Sequence, residues 1–157
     1  TWANRYDSDM PRTNTEVLSE EDVFSMGDGE VVPLHLPGHT SDGMGFHIPH
    51  LSTLIVGALL PRADRPTRWD MPGGSLVDVV DSYKRMKRLN LSSIVPLQGP
   101  AIRGESHVRE VLDRHLAFYE EAVRNEGRPP ASWDRPASTA VWLTPRSPWP
   151  LEEQEAV

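Results

Sequence analysis

Val31-Val32-Pro33-Leu34-His35-Leu36-Pro37-Gly38-His39-Thr40-Ser41-Asp42-Gly43 is the stretch on which the fold of this chain turns. An apolar run stops abruptly in a tight polar turn. Gly27-Asp28-Gly29 marks another turn just upstream, so Glu30 to Leu36 reads as a strand and Pro37 to Gly43 as a loop between two strands. Met44 to Ile48 is the next strand. Pro49-His50 turns the chain again, and Leu51 to Val56 is a further apolar, β-rich run. Short connections imply that the three strands form an antiparallel meander. A His held at a strand end by a glycine turn points into a cleft rather than a core. That singles out His39, with Thr40 and Asp42 beside it to hold either its second ring nitrogen or the loop itself.

Further along, Gly57 to Pro72 is a long loop carrying Pro61, Pro66 and Pro72. A helix is expected after it. Ser75 is placed to cap it, with Asp78 three residues on, and Leu76, Val79, Val80, Tyr83, Met86 and Leu89 recur at helical spacing. Lys84, Arg85, Lys87 and Arg88 crowd its last turns, where cations suit the helix dipole. Ser93 to Pro96 reads as a short buried strand, followed by the loop Leu97-Gln98-Gly99-Pro100. A second helix is expected from about Glu105 to Asn125, with Val108, Val111, Leu112, His115, Tyr119 and Ala122 on its apolar face and Gly127 and Pro129 ending it. Residues 1–16 read as an irregular lead segment, 17–126 as the domain proper, and 127–157 as a Pro- and Trp-rich tail. Trp133, Trp142 and Trp149 are costly to leave in water, so that tail is expected to wrap the domain or grip a partner.

The composition narrows the function classes. The chain has 157 residues, enough for one domain with a sizeable core. A net charge of -7 argues against a broad nucleic-acid or anionic-membrane surface. No apolar run approaches the roughly 20 residues needed to cross a bilayer. Cysteine is absent, which excludes disulfides, thiolate metal sites and a Cys nucleophile and fits a cytoplasmic protein. The sequence opens Thr1-Trp2-Ala3 without an initiator Met. This reads as a trimmed start or as a precursor cut before Thr1, whose hydroxyl would then be a nucleophile beside its own amine.

Six histidines are present, and most have ordinary readings. His115 falls on the apolar face of a helix, where a core histidine is the default. His107 lies near a helix start and reads as surface. His35 and His47 fall inside strands and His50 in a turn. None forms a His-x-His or His-Glu-x-x-His pair, so local sequence offers no self-contained zinc site.

Together these pieces resemble the second half of the metallo-β-lactamase superfamily. The match runs through Gly27-Asp28-Gly29, the strand ending in Pro37-Gly38-His39-Thr40, the run Ser52-Thr53-Leu54-Ile55-Val56-Gly57-Ala58-Leu59-Leu60, the helix at 75–89, the segment Ile94-Val95-Pro96-Leu97-Gln98-Gly99 and the helix at 105–125. The resemblance implies an α/β fold: half of an αββα sandwich, completed by an N-terminal half on another chain or precursor segment. It also implies departures. The family's upstream His-x-His-x-Asp-His motif is absent, Ala58 stands where the family has a metal-bridging Asp, and Gln98 stands where it has a final His. His39 is the metal ligand that remains of those this half brings.

Both substitutions fall on the family's second metal and its bridge. The first metal needs only His39 from this chain, so one zinc or other divalent ion shared with a partner half is one expectation. The assembled protein would then be a non-classical hydrolase-like enzyme, a heterodimer or processed chain. It would act on a small-molecule ester, thioester, lactone or similar substrate. The candidate site residues are His39, Asp42, Gln98 and Thr1. The alternative is a metal-free pseudoenzyme or non-catalytic partner subunit of the same fold.

Overall fold

The computed structural model describes residues 17–70 and 72–128. The expectations made for Thr1, for the lead segment 1–16 and for the tail tryptophans lie outside the described residues. The turn at Gly27-Asp28 closes a hairpin between strand β1 (Phe24–Met26) and strand β2 (Gly29–His35). Gly27 takes a φ of 63°, the left-handed conformation that such a turn demands and that glycine adopts without strain. The chain then builds the expected meander. Strand β3 (Met44–Ile48) pairs antiparallel with β2, and strand β4 (Thr53–Val56) pairs antiparallel with β3. A single 3-10 turn at Pro49–Leu51 joins β3 to β4.

Helix α1 (Leu76–Lys87) carries the chain across to strand β5 (Ser93–Val95), which pairs parallel with β4. Strand β6 (Ile102–Arg103) returns antiparallel to β5, and helix α2 (Glu105–Arg124) follows. The result is one six-stranded sheet in the order β1-β2-β3-β4-β5-β6. Neither β1 nor β6 was expected. Runs of three and two residues carry no readable alternation, and their longer neighbours β2 and β5 recruit them by pairing.

Both helices pack on one face of the sheet. Leu34, Leu54, Val56 and Ile94 from the strands and Leu36 just after β2 meet Val79, Tyr83 and Met86 from α1 and Val108, Val111, Leu112 and Tyr119 from α2 in a single core. Burying an aliphatic or aromatic side chain of this size is worth about 1.5–3 kcal/mol. The opposite face is apolar too. Register places Pro33 against Phe46, Phe46 against Ile55, and Ile55 against Val95, a row across four strands. Within it Ile55 is 41% and Val95 37% exposed, while the adjoining Leu54 and Val56 are sealed beneath the helices.

Two features fix the turn that follows β2. The backbone N–H of Ser75 donates to the Gly38 carbonyl at 2.9 Å, and the Ser75 hydroxyl accepts from the backbone N–H of Asp78 at 3.2 Å, so the cap of α1 also grips the turn. Gly38 has a φ of 137°, and a Cβ there would lie 2.6 Å from the backbone nitrogen of Val79. Only glycine lets the helix start come so close. At the other end of α1, Arg85 binds the Glu20 carboxylate, which also accepts from the His35 backbone N–H. The Arg85 hydrogen bond holds the Glu20 carboxyl below its ordinary range, against a smaller opposing effect of burial.

Candidate functional site

Strand direction assembles the site. β3 runs opposite to β2, β4 runs opposite to β3, and β5 runs with β4. Hence the C-terminal ends of β2, β4 and β5 lie along one end of the sheet. His39 follows β2, Ala58 follows β4 and Gln98 follows β5. The loops there are laced together. Leu97 and Gln98 donate their backbone N–H groups to the carbonyls of Leu60 and Pro61 at 3.1 and 2.9 Å. The Gln98 side chain is exposed and Ala58 is half-buried.

His39 is half-buried and held from one side. Its Nδ1 lies 3.1 Å from the Thr67 hydroxyl and 3.3 Å from the Arg68 carbonyl. The Thr67 hydroxyl in turn donates to the Ala58 carbonyl at 2.6 Å. The backbone at Ala58 is therefore tied to His39 through one threonine, although the side chain at that position is only a methyl group. Thr67 is itself anchored from below. Its backbone N–H donates to the Tyr119 hydroxyl at 2.7 Å. Burial pushes the Tyr119 phenol well above its ordinary pKa, so it stays protonated and neutral.

Asp42 is exposed, and the Thr40 side chain together with a backbone N–H holds its carboxyl below the ordinary range. The His39 ring nitrogen Nδ1 is held by Thr67 and Arg68. His35, next door, reaches the Ser41 carbonyl with Nε2 at 2.8 Å. The structure thus brings His39, Ala58 and Gln98 to one end of the sheet, leaves Asp42 exposed on the loop after β2, and does not describe Thr1.

Thr67 and Tyr119 escaped the sequence reading. Thr67 sits in the irregular stretch between Gly57 and Pro72, where no periodicity marks it. Tyr119 reads as one more apolar position of α2, and only its hydroxyl contact reveals the second use.

As for a metal, the chemistry of the donors is the test. Among the described residues no group of three His, Cys, Asp or Glu could hold one. His39 Nε2 has no partner among the described residues and is a sound single ligand. These residues alone do not make a metal centre.

The metallo-β-lactamase superfamily model matches residues 3–98, and the chain belongs to that superfamily. An uncharacterized protein of Aquifex aeolicus (strain VF5) is 41% identical over 76 residues, which are 48% of this chain and 35% of that protein. Among solved structures, ETHE1 from Myxococcus xanthus superposes with a TM-score of 0.55 at 19% identity, covering 72% of this chain and 53% of that one. An archaeal superfamily protein from Sulfolobus tokodaii gives 0.52 at 16%, covering 64% and 37%. A family protein from Thermus thermophilus gives 0.51 at 19%, covering 74% and 40%. The chain thus spans about half, or less, of the proteins it resembles. No helix among the described residues is long and apolar enough to cross a membrane.

Proposed function

We propose that this chain supplies the C-terminal part of a metallo-β-lactamase-fold enzyme, completed by an N-terminal half on another chain or segment. The substrate is a small-molecule ester, thioester, lactone or similar compound, and the assembled site holds at most one metal ion. The observation that carries this reading is His39. Its imidazole is fixed through one nitrogen by Thr67 and Arg68 and keeps the other without a partner among the described residues. Such an arrangement suits a ligand or a base.

The superfamily usually binds zinc. In this reading His39 is one of three imidazoles around a single ion, which when bound would supply an acidified water. The rest falls to the chain's own residues. Gln98, exposed on the β5 loop, can donate or accept a hydrogen bond at a substrate carbonyl. Ala58 leaves room where the family has a carboxylate. The apolar row Pro33–Phe46–Ile55–Val95 supports the missing half, because a sheet that is apolar on both faces is normally covered on both.

Metal content of the full-length protein, measured together with ester and thioester turnover, tests this. The expected result is about one metal per chain and turnover that falls at least 100-fold in His39→Ala. A metal-free protein whose His39→Ala variant turns over like the parent would refute it. The second reading is a metal-free, non-catalytic partner subunit. It is favoured by Ala58 and Gln98, which stand where the family has a bridging Asp and a final His, and His39-dependent turnover would rule it out.

A further inference from the structure

We infer that Thr67 is the positioning residue of this site: it fixes His39 as the tautomer protonated on Nδ1, leaving the Nε2 lone pair as the ring's free donor. The argument is a count of hydrogens. The Thr67 hydroxyl oxygen and the Ala58 carbonyl oxygen are 2.6 Å apart. Two oxygens that close need a proton between them, and the carbonyl has none to give. The only hydroxyl proton therefore points at Ala58. Toward His39, 3.1 Å away, Thr67 presents a lone pair. The other neighbour of Nδ1 is the Arg68 carbonyl at 3.3 Å, which also can only accept. With two acceptors facing it, Nδ1 must carry the hydrogen. A neutral imidazole has a single N–H, so Nε2 has none.

Thr67 is built for this task. It is 2% exposed and lies in a loop without regular hydrogen bonding, yet its backbone is clamped by the fully buried Tyr119 of α2. Its β-branched side chain has few rotamers to choose from. The Ala58 carbonyl then dictates which way the hydroxyl proton turns. Helix α2, strand β4 and the turn after β2 thereby converge on the protonation pattern of one ring. A ligand that needs the Nε2 lone pair finds it already exposed, with no tautomer shift on binding.

The assignment stands without the metal reading; only its consequence for metal affinity rests on that reading. The test is a two-bond ¹H–¹⁵N spectrum of the full-length protein labelled at histidine nitrogens, taken above neutral pH without added metal. His39 is expected to show a protonated Nδ1 and a bare Nε2. A bare Nδ1, or nitrogens averaged between the two forms, would overturn the proposal. Thr67→Val should move His39 toward averaged tautomers, and Thr67→Ser should restore the parent pattern. A folded Thr67→Val protein with an unchanged His39 pattern would reduce Thr67 to a loop staple and overturn its positioning role. Should Thr67→Val not fold, the parent and Thr67→Ser spectra still decide the tautomer. If zinc binds, Thr67→Val should weaken it about 10–100-fold, with Thr67→Ser close to the parent. The expected spectrum in a protein that takes up no zinc would support the tautomer and refute the metal-dependent function.

Discussion

Two histidines of this chain are wired in opposite senses, and the difference separates a site from a core. His39 is held at Nδ1, and its Nε2 has no partner among the described residues. His115 has both nitrogens committed. Its Nε2 lies 2.7 Å from the Ala63 carbonyl, which can only accept, and its Nδ1 lies 3.2 Å from the Tyr83 hydroxyl. The ring also stacks on Tyr83 at 5.6 Å. Burial pushes the His115 pKa from 6.5 down to about 3, with nearby Arg114 adding to the shift and the Ala63 hydrogen bond opposing it. In the unfolded chain the imidazole takes up its proton near 6.5. Between the two values the unfolded state binds more protons than the folded one. Stability from this residue is therefore present above pH 6.5 and is lost as pH falls toward 3, at a limiting slope of about 1.4 kcal/mol per pH unit. Urea unfolding should approach this slope in the parent protein between pH 5 and 6 and level off above 6.5, with a flatter dependence in His115→Gln, which keeps a donor for Ala63. Equal slopes would mean that His115 is not held neutral. The turn that carries His39 was legible in the sequence because a glycine turn at a strand end is a local signal. Thr67 was not, because its importance comes from three contacts with residues 9, 28 and 52 positions away.

At the scale of elements, legibility followed length and periodicity. Helices α1 and α2 were foreseen almost to their ends, since each carries an apolar stripe over several turns and a recognisable start or stop. The β2–β3–β4 meander was foreseen because short loops leave antiparallel pairing as the simple solution. β1 and β6 were not, since pairing partners rather than their own residues make them strands. Helix α1 also shows how an element serves a site. Its cap, Ser75, accepts from Asp78 while its backbone N–H holds Gly38, the residue before His39. Ser75→Ala should cost about 1 kcal/mol in chemical denaturation, and Ser75→Asp should recover most of it. The Gly38 contact is made by backbone and survives both changes, so the His39 tautomer pattern should be the same in both variants. A stability unchanged in Ser75→Ala would show that the hydroxyl contributes nothing to the helix start.

For the whole molecule, the sheet has one face under helices and another without them among the described residues, and that second face is also apolar. Ile55 lies at its centre, with Phe46 on one side and Val95 on the other, and is 41% exposed. In the proposed reading, a fold that spans about half of its solved neighbours and keeps an apolar row on a face without helices among the described residues is one layer of a two-layer sandwich. This makes the consequence of a charge there specific. Ile55→Glu should leave the helix-covered core intact, because Leu54 and Val56 point the other way. If a second layer covers Ile55 in the full-length protein, the same change buries an unpaired carboxylate and should cost about 3–5 kcal/mol, by analogy with breaking a buried ion pair. Val77 on α1 is 61% exposed and supplies the control: Val77→Glu should shift stability by no more than about 0.5 kcal/mol. Urea midpoints of the full-length protein and both variants separate the cases. A large loss confined to Ile55→Glu places a second layer on this face. Equal, small effects would mean that the row meets water, and the two-layer assembly behind the proposed active site would fall with it.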